Sequence, residues 1–283
     1  MSENKWVKST VTGIMLSATL CLACVSVVAQ RGEKQDQLKE DRGLSCNDNN
    51  WNSDRASHCL IKEQKIAATG GTITVDGRMN GGVSVKGWDQ GEIFVRAKIQ
   101  TQANTDAEAE ALAGQIRIAT SGANIYSEGP ETKNRQGWSV SFEVFVPNNS
   151  NVALKAHNGG INVSDVRGQI EFKTLNGGVT LRRLAGAVKG ETTNGGVTID
   201  LAGSSWEGEG IDVRTTNGGV TLFFPEAYSA HLETSTVNGG LRTDFPITLN
   251  GEIKRELSVN IGDGGRTIRA VTTNGGVSIL RKS

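Results

Sequence analysis

The residues with the chemistry to cleave a polymer are Asp165, Asp200, Asp212 and Asp244, together with the closely spaced Glu207 and Glu209 in "GSSWEGEGID". Glycoside hydrolysis needs two carboxyl groups at a defined separation, one protonated and one ionised. The four aspartates stand at different distances from the nearest repeat motif, so they do not stack in register. Glu207 and Glu209 read as part of a solvated loop. His58, His157 and His231 are far apart in sequence, and His157 occupies a repeat position that elsewhere carries Leu, Thr or Val. "GDGGR" at 262–266 lacks the Lys and the spacing of a phosphate loop. The expectation is a protein that is not an enzyme, with no catalytic residue, no cofactor and no metal site.

The elements that position these side chains are announced by a tripeptide. Asn-Gly-Gly occurs at Asn80, Asn158, Asn176, Asn194, Asn217, Asn238 and Asn274, with successive gaps of 78, 18, 18, 23, 21 and 36 residues. A recurring period near 18–20 marks a repeat architecture. Two residues before the Asn stand Ala156, Thr174, Thr192, Thr215, Thr236 and Thr272. Behind the glycines, triplets such as Val179-Thr180-Leu181 and Val197-Thr198-Ile199 alternate as strands with one buried face.

Residues 1–29 carry Lys5 and Lys8 and then an uncharged, largely apolar run, with small residues before Gln30. This pattern is an export signal. The alternative cleavage is a lipoprotein one at Cys24, preceded by Leu22-Ala23. Later segments are too short and too polar to cross a membrane as a helix. Without residues 1–29 the chain has 28 basic and 29 acidic side chains, a balance that argues against nucleic acid as a partner. In an exported chain, the isolated pair Cys46 and Cys59 reads as a disulfide. A zinc site with His58 is the alternative, although it lacks a fourth ligand.

These signals divide the chain into a signal peptide (1–29), a polar linker with a disulfide-stapled loop (30–65), an N-terminal strand and helix cap (66–150) and the repeats (151–283). "NTDAEAEALAGQIRI" is the one convincing helix. "WSVSFEVFVP" alternates with Val140, Phe142, Val144 and Val146 on one face, and Trp88 and Trp138 are expected to cover the N-terminal core. The fold class expected is all-β: a single-stranded parallel β-helix or β-solenoid with coils of about 18–21 residues. Asn and the first Gly are expected in left-handed conformations at each corner, with the second Gly allowing close approach. Stacked Asn side chains hydrogen-bond along the column, Val179, Val197 and Val220 form one buried row, and Thr180, Thr198 and Thr221 face outward. The repeat at Asn274 is expected to have a neighbour on one side only. A calcium-binding nonapeptide roll is excluded because its repeated Asp is missing. A hexapeptide helix is excluded because stepping by six from Ile161 reaches Arg167.

"LKAHNGGINVSDVRGQIEFKTLNGGVTL", "TTNGGVTIDLAG" and the closing "TTNGGVSIL" resemble domain-of-unknown-function family 4097 of bacteria, over roughly residues 66–282. The resemblance implies an exported β-strand repeat protein. It supplies no catalytic residues, and the family's adhesin label is itself an inference. The function expected is a non-enzymatic binding or scaffolding module of the cell envelope, with an unknown polysaccharide or protein partner. The alternatives are a carbohydrate-active enzyme on the same scaffold and a scaffold that self-associates through its open ends. The surplus of five residues between Asn194 and Asn217 falls near Trp206, Glu207 and Glu209. Two readings stand for it: a projecting contact loop, or an indole folded back over the repeats. The corner residues Asn158, Asn176, Asn194, Asn217, Asn238 and Asn274 are structural.

Overall fold

The computed structural model describes residues 43–47, 54–132, 135–245 and 255–282. The expected signal at 1–29 and the lipidation candidate Cys24 lie outside the described residues. The protein is all-β, and its described residues form two ten-stranded sheets. The strands in chain order are β1 (Ala56–Ala67), β2 (Ile73–Asp76), β3 (Val83–Trp88) and β4 (Glu92–Ala103). Helix α1 (Asp106–Gln115) follows, then β5 (Arg117–Ser121), β6 (Asn124–Glu128) and β7 (Gly137–Pro147). The repeats supply β8 (Val152–Asn158), β9 (Ile161–Ser164), β10 (Arg167–Asn176), β11 (Val179–Arg182), β12 (Ala185–Asn194) and β13 (Val197–Asp200). They continue with β14 (Gly210–Asn217), β15 (Val220–Phe224), β16 (Ala230–Asn238), β17 (Leu241–Thr243), β18 (Glu256–Ile261), β19 (Thr267–Asn274) and β20 (Val277–Arg281).

Each Asn-Gly-Gly carries the chain from one sheet to the other. β8, β10, β12 and β14 pair in parallel in the second sheet, and β9, β11, β13 and β15 pair in parallel in the first. Val179 lies opposite both Ile161 and Val197, and Val197 opposite Val220, so the apolar position of each repeat stacks on its predecessor. These side chains are buried between the sheets, while Thr180 and Thr198 are half-buried on the outer face. A single such pair of short strands buries too little apolar surface to persist alone; its neighbours complete it.

The coils do not stack in chain order. β19 lies between β14 and β16, and β20 lies between β15 and β17. The repeat at Asn274 therefore has neighbours on both sides, contrary to the expectation from its place in the chain. An electrostatic reason is visible five residues before the Asn of the five repeats other than those at Asn80 and Asn158. In spatial order this position carries Glu171, Lys189, Asp212, Arg269 and Glu233, alternating in sign. Arg269 reaches Asp212 at 3.0 Å and Glu233 at 3.6 Å. Stacking in chain order would put the carboxylates of Asp212 and Glu233 on adjacent strands about 4.8 Å apart, which is unfavourable.

The Asn80 repeat joins the same stack although 78 residues separate it from Asn158. β2 pairs with β8, and β3 with β9. β7, β4 and β1 extend the first sheet, and β6 and β5 extend the second. α1, capped by Thr105 accepting from the Glu108 amide, buries Ala109, Leu112 and Ala113 and packs on β1 and β4. β1 runs through residues 56–65, which the sequence presents as linker. Its alternation is masked because Lys62 and Gln64 replace apolar residues: Lys62 donates to the Ile116 carbonyl and Gln64 to Thr120, both at 2.8 Å. Cys46 and Cys59 form a disulfide, with Cα atoms 5.7 Å apart.

Candidate functional site

The most regular polar feature is the corner column. Asn158 donates from Nδ2 to Oδ1 of Asn80, Asn176 to Asn158, Asn194 to Asn176 and Asn217 to Asn194, all at 2.7–3.0 Å. The column ends Asn274 to Asn217 and Asn238 to Asn274, following the spatial order. Beneath it runs a second ladder. Thr174, Thr192, Thr215, Thr272 and Thr236 are buried, and each hydroxyl donates to a glycine carbonyl of the neighbouring coil at 2.7–2.9 Å. These bonds satisfy polar groups that burial would otherwise leave costly. The Thr repeat was visible in the sequence, but its role was not.

The glycines serve a different purpose from the one expected. None of the Asn-Gly-Gly residues adopts a left-handed conformation. A Cβ on Gly177 would lie 2.1 Å from the Gly159 carbonyl oxygen, whereas one on Gly178 would lie 3.6 Å from that of Gly196. The first glycine is thus required by the approach of the adjacent coil, and the second is less crowded, with ordinary contact at Gly178. Positive φ occurs instead at the opposite corner, at Asp165 (60°) and Arg183 (51°). Their side chains form a two-point ion pair at 2.7 and 2.8 Å. Burial works to raise the Asp165 carboxyl, but the Arg183 hydrogen bonds and charge, with help from Lys86 and Ser164, hold it below its ordinary range.

The remaining aspartates are also engaged with basic groups. Asp200 pairs with Lys282, Asp212 with Arg269 and Arg214, and Asp244 with Arg242 at 3.9 Å. Each of the four aspartates thus has a basic partner different from the others'. Trp206 is 7% exposed and joins the core, donating from Nε1 to the Gly186 carbonyl at 2.9 Å. The loop around it lies flat rather than projecting. Gly186 donates to the Glu207 carbonyl at 2.7 Å, and Glu209 donates back to Gly186 at 2.9 Å. A Cβ on Gly208 would sit 2.4 Å from the Gly186 Cα, so the loop is pressed on that strand. Glu207 is exposed and pairs with Arg167, and Glu209 is exposed. The exposed indole of the contact-loop reading is therefore absent, because the apolar ring gains more from the core.

One histidine gathers polar partners that the sequence did not suggest. His231 Nδ1 is 2.8 Å from Asn260 Oδ1, and Nε2 is 3.2 Å from Ser258 Oγ. A nucleophile, a base and an orienting amide are present in that order. The same Nε2 also faces Glu233 at 3.6 Å, and Ser258 and Asn260 are exposed on the outer face of β18. With water open to every group and the base nitrogen shared with an anion, the cluster reads as cross-strand polar pairing. Among the described residues, no group of three or more His, Cys, Asp or Glu is placed to hold a metal ion.

A broader surface lies on the outer face of the second sheet, across β8, β10, β12 and β14. Two columns of long side chains, Lys155, Lys173, Glu191, Arg214 and Glu171, Lys189, Asp212, wall a shallow trough of about 530 Å³. Lys173 and Glu191 are paired at 2.5 Å, and the Lys173 hydrogen bond and charge hold the Glu191 carboxyl below its ordinary range. The signal for this trough was the pair of charges five and three residues before Asn176, Asn194 and Asn217. It becomes readable only once the coils are placed in register.

This is an all-β repeat domain built on two large sheets. A family profile described as Toastrack DUF4097 matches residues 56–280, and the chain belongs to that family. A "putative cell adhesion protein" from Clostridium sporogenes is similar in structure, with 10% identity and a TM-score of 0.40, over 80% of this chain and 100% of that one. A "putative adhesin" from Bacteroides fragilis has 12% identity and a TM-score of 0.40, over 80% and 97%. A "putative lipid binding protein" from Parabacteroides distasonis has 10% identity and a TM-score of 0.35, over 78% and 96%. No curated protein matches the sequence. Among the described residues, no helix is long and apolar enough to cross a membrane.

Proposed function

We propose that this chain is an exported, non-enzymatic binding or scaffolding module of the bacterial cell envelope, built as a single-stranded parallel β-solenoid. The observation that carries the proposal is the charged trough. A rigid stack, hydrogen-bonded through its core and corners, holds side chains of both signs in fixed columns on one face. Such a surface recognises an extended polymer or a protein face bearing complementary charge, through many weak contacts summed along its length. The basic, then apolar, first 29 residues support export, through signal cleavage near Gln30 or lipidation at Cys24. The Cys46–Cys59 disulfide fits an oxidising compartment. Residues 66–150 act as an N-terminal cap that prolongs both sheets. Self-association through the ends is the less favoured mode. β17 is only three residues long, and the long edge strand β1 carries Lys62, Glu63 and Lys65, which blunt pairing with another strand.

The test is co-sedimentation of the protein with isolated envelope material, run beside a reducing-end assay on cell-wall and plant polysaccharides. Saturable retention without release of sugar ends is the expected result. Release of sugar ends that disappears in Glu207→Gln or Glu209→Gln would establish the enzyme alternative and overturn the proposal.

A further inference from the structure

We propose that the outer face of the first sheet carries a carbohydrate-binding platform formed by Trp88, Phe94 and Phe145. These residues alternate with core residues on β3, β4 and β7, so they stand on the side of the sheet away from the core. Val85, Ile93, Val95, Val144 and Val146 beside them are buried inside, whereas the three rings are half-buried and belong to no part of the core cluster. The ring centroids are 5.5, 6.0 and 6.2 Å apart. The indole N–H is held by the Glu92 carbonyl at 2.9 Å, which fixes the largest ring in place. The expectation that Trp88 covers the core is thus replaced by a fixed aromatic patch.

Size and charge select the occupant. A whole aromatic side chain covers 150–250 Å², so three half-buried rings offer on the order of 200 Å² or less. A stable protein partner needs about 800 Å² on each side, several times more than this patch. The patch matches instead the apolar face of one or two sugar rings. Five of the charges on its rim, Arg96, Glu143, Glu63, Lys65 and Glu92, are paired with one another. Arg96 is bonded to Glu143 at 2.5 Å and to Glu63 at 3.0 Å, and Lys65 is bonded to Glu92 at 2.6 Å. Asp89 accepts from Asn148 at 2.6 Å. A charged ligand would have to compete with these pairs. A neutral sugar instead stacks its C–H face on the rings and donates hydroxyls to lone pairs that the rim carboxylates retain. The platform therefore takes a neutral pyranose-containing glycan. This rests on reading the chain as a binding module but uses a surface separate from the trough. Envelope retention by a platform variant consequently reports on the trough alone.

The experiment is calorimetric titration of the full-length protein with cellohexaose, chitohexaose and xylohexaose, with Trp88→Leu and Thr198→Ala compared. Trp88→Leu keeps an apolar group on the strand, and its melting temperature shows whether the fold is retained. If it is not, Phe94→Leu replaces it. The expected result is binding of at least one hexasaccharide, weakened roughly tenfold or more in Trp88→Leu and unchanged in Thr198→Ala. Failure of all three sugars to bind would overturn the platform. So would equal binding by a folded Trp88→Leu protein, or capture of a protein partner through these rings without sugar binding.

Discussion

Replacing Gly177 with Ala tests how the coils are packed. The new Cβ would lie 2.1 Å from the Gly159 oxygen, 2.5 Å from its carbonyl carbon and 2.9 Å from the Gly160 nitrogen. All three are backbone atoms of the adjacent coil, so no side chain can turn aside. Relief requires moving one coil by about 1 Å against a strand spacing of about 4.8 Å. That shift stretches the Asn176–Asn158 and Thr174–Gly159 bonds together. Overpacking a well-filled site costs about 1–3 kcal/mol and occasionally more. With these hydrogen bonds strained as well, Gly177→Ala is expected at or above about 3 kcal/mol. Gly178→Ala places its Cβ at an ordinary 3.6 Å from the Gly196 oxygen. There, reduced freedom of the unfolded chain is expected to stabilise by up to about 1 kcal/mol. Urea denaturation of the two variants beside the parent protein measures both. Equal effects of the two substitutions would refute the argument that approach of the neighbouring coil dictates the first glycine.

Three further outcomes follow from the packing. Val277→Ala is expected to cost as much as Val197→Ala, about 1–3 kcal/mol, because Val277 is 1% exposed between Val220 and Leu241; thermal melts showing a clearly milder effect would contradict the coil order. Thr192→Val keeps the shape but loses the bond to Gly177, and chemical denaturation should show a loss of about 1 kcal/mol. Tyr228 is 1% exposed, its hydroxyl has no partner among the described residues, and burial with the nearby Glu207 charge pushes its pKa up to about 12. Between pH 10 and 12 the unfolded chain loses this proton while the folded one keeps it, so stability should fall as pH rises, by up to about 3 kcal/mol. Tyr228→Phe should remove that share of the alkaline loss and stabilise the protein by about 1–2 kcal/mol at neutral pH; a destabilised Phe variant would show that the hydroxyl is bonded after all.

Much of the fold was legible because the Asn-Gly-Gly repeat and the alternation behind it report local structure. Val179 and Val197 read as buried, and Thr180 and Thr198 as outward, from two residues of context. Coil order was not legible, because it depends on pairs such as Asp212 with Arg269, whose partners are unknown until strands are in register. β1 was hidden by Lys62 and Gln64 on its core-facing side. The fate of Trp206 turned on Gly186 and Gly208 allowing a backbone contact, which no spacing rule encodes. The trough was present as charges five and three residues before Asn176, Asn194 and Asn217, and Phe94 and Phe145 were present as the outward phase of two strands. Both surfaces emerge only when residues from three or four separate strands are laid side by side.

The central claim, that the charged face of the stack binds envelope material, is tested most directly by a binding isotherm at several salt concentrations. The parent protein and a Lys173→Glu, Lys189→Glu double variant are compared on isolated envelopes. The account predicts saturable binding by the parent that weakens as salt rises, and its loss in a double variant that still melts cooperatively. Equal binding by the two proteins, or no binding by the parent at low salt, would contradict it.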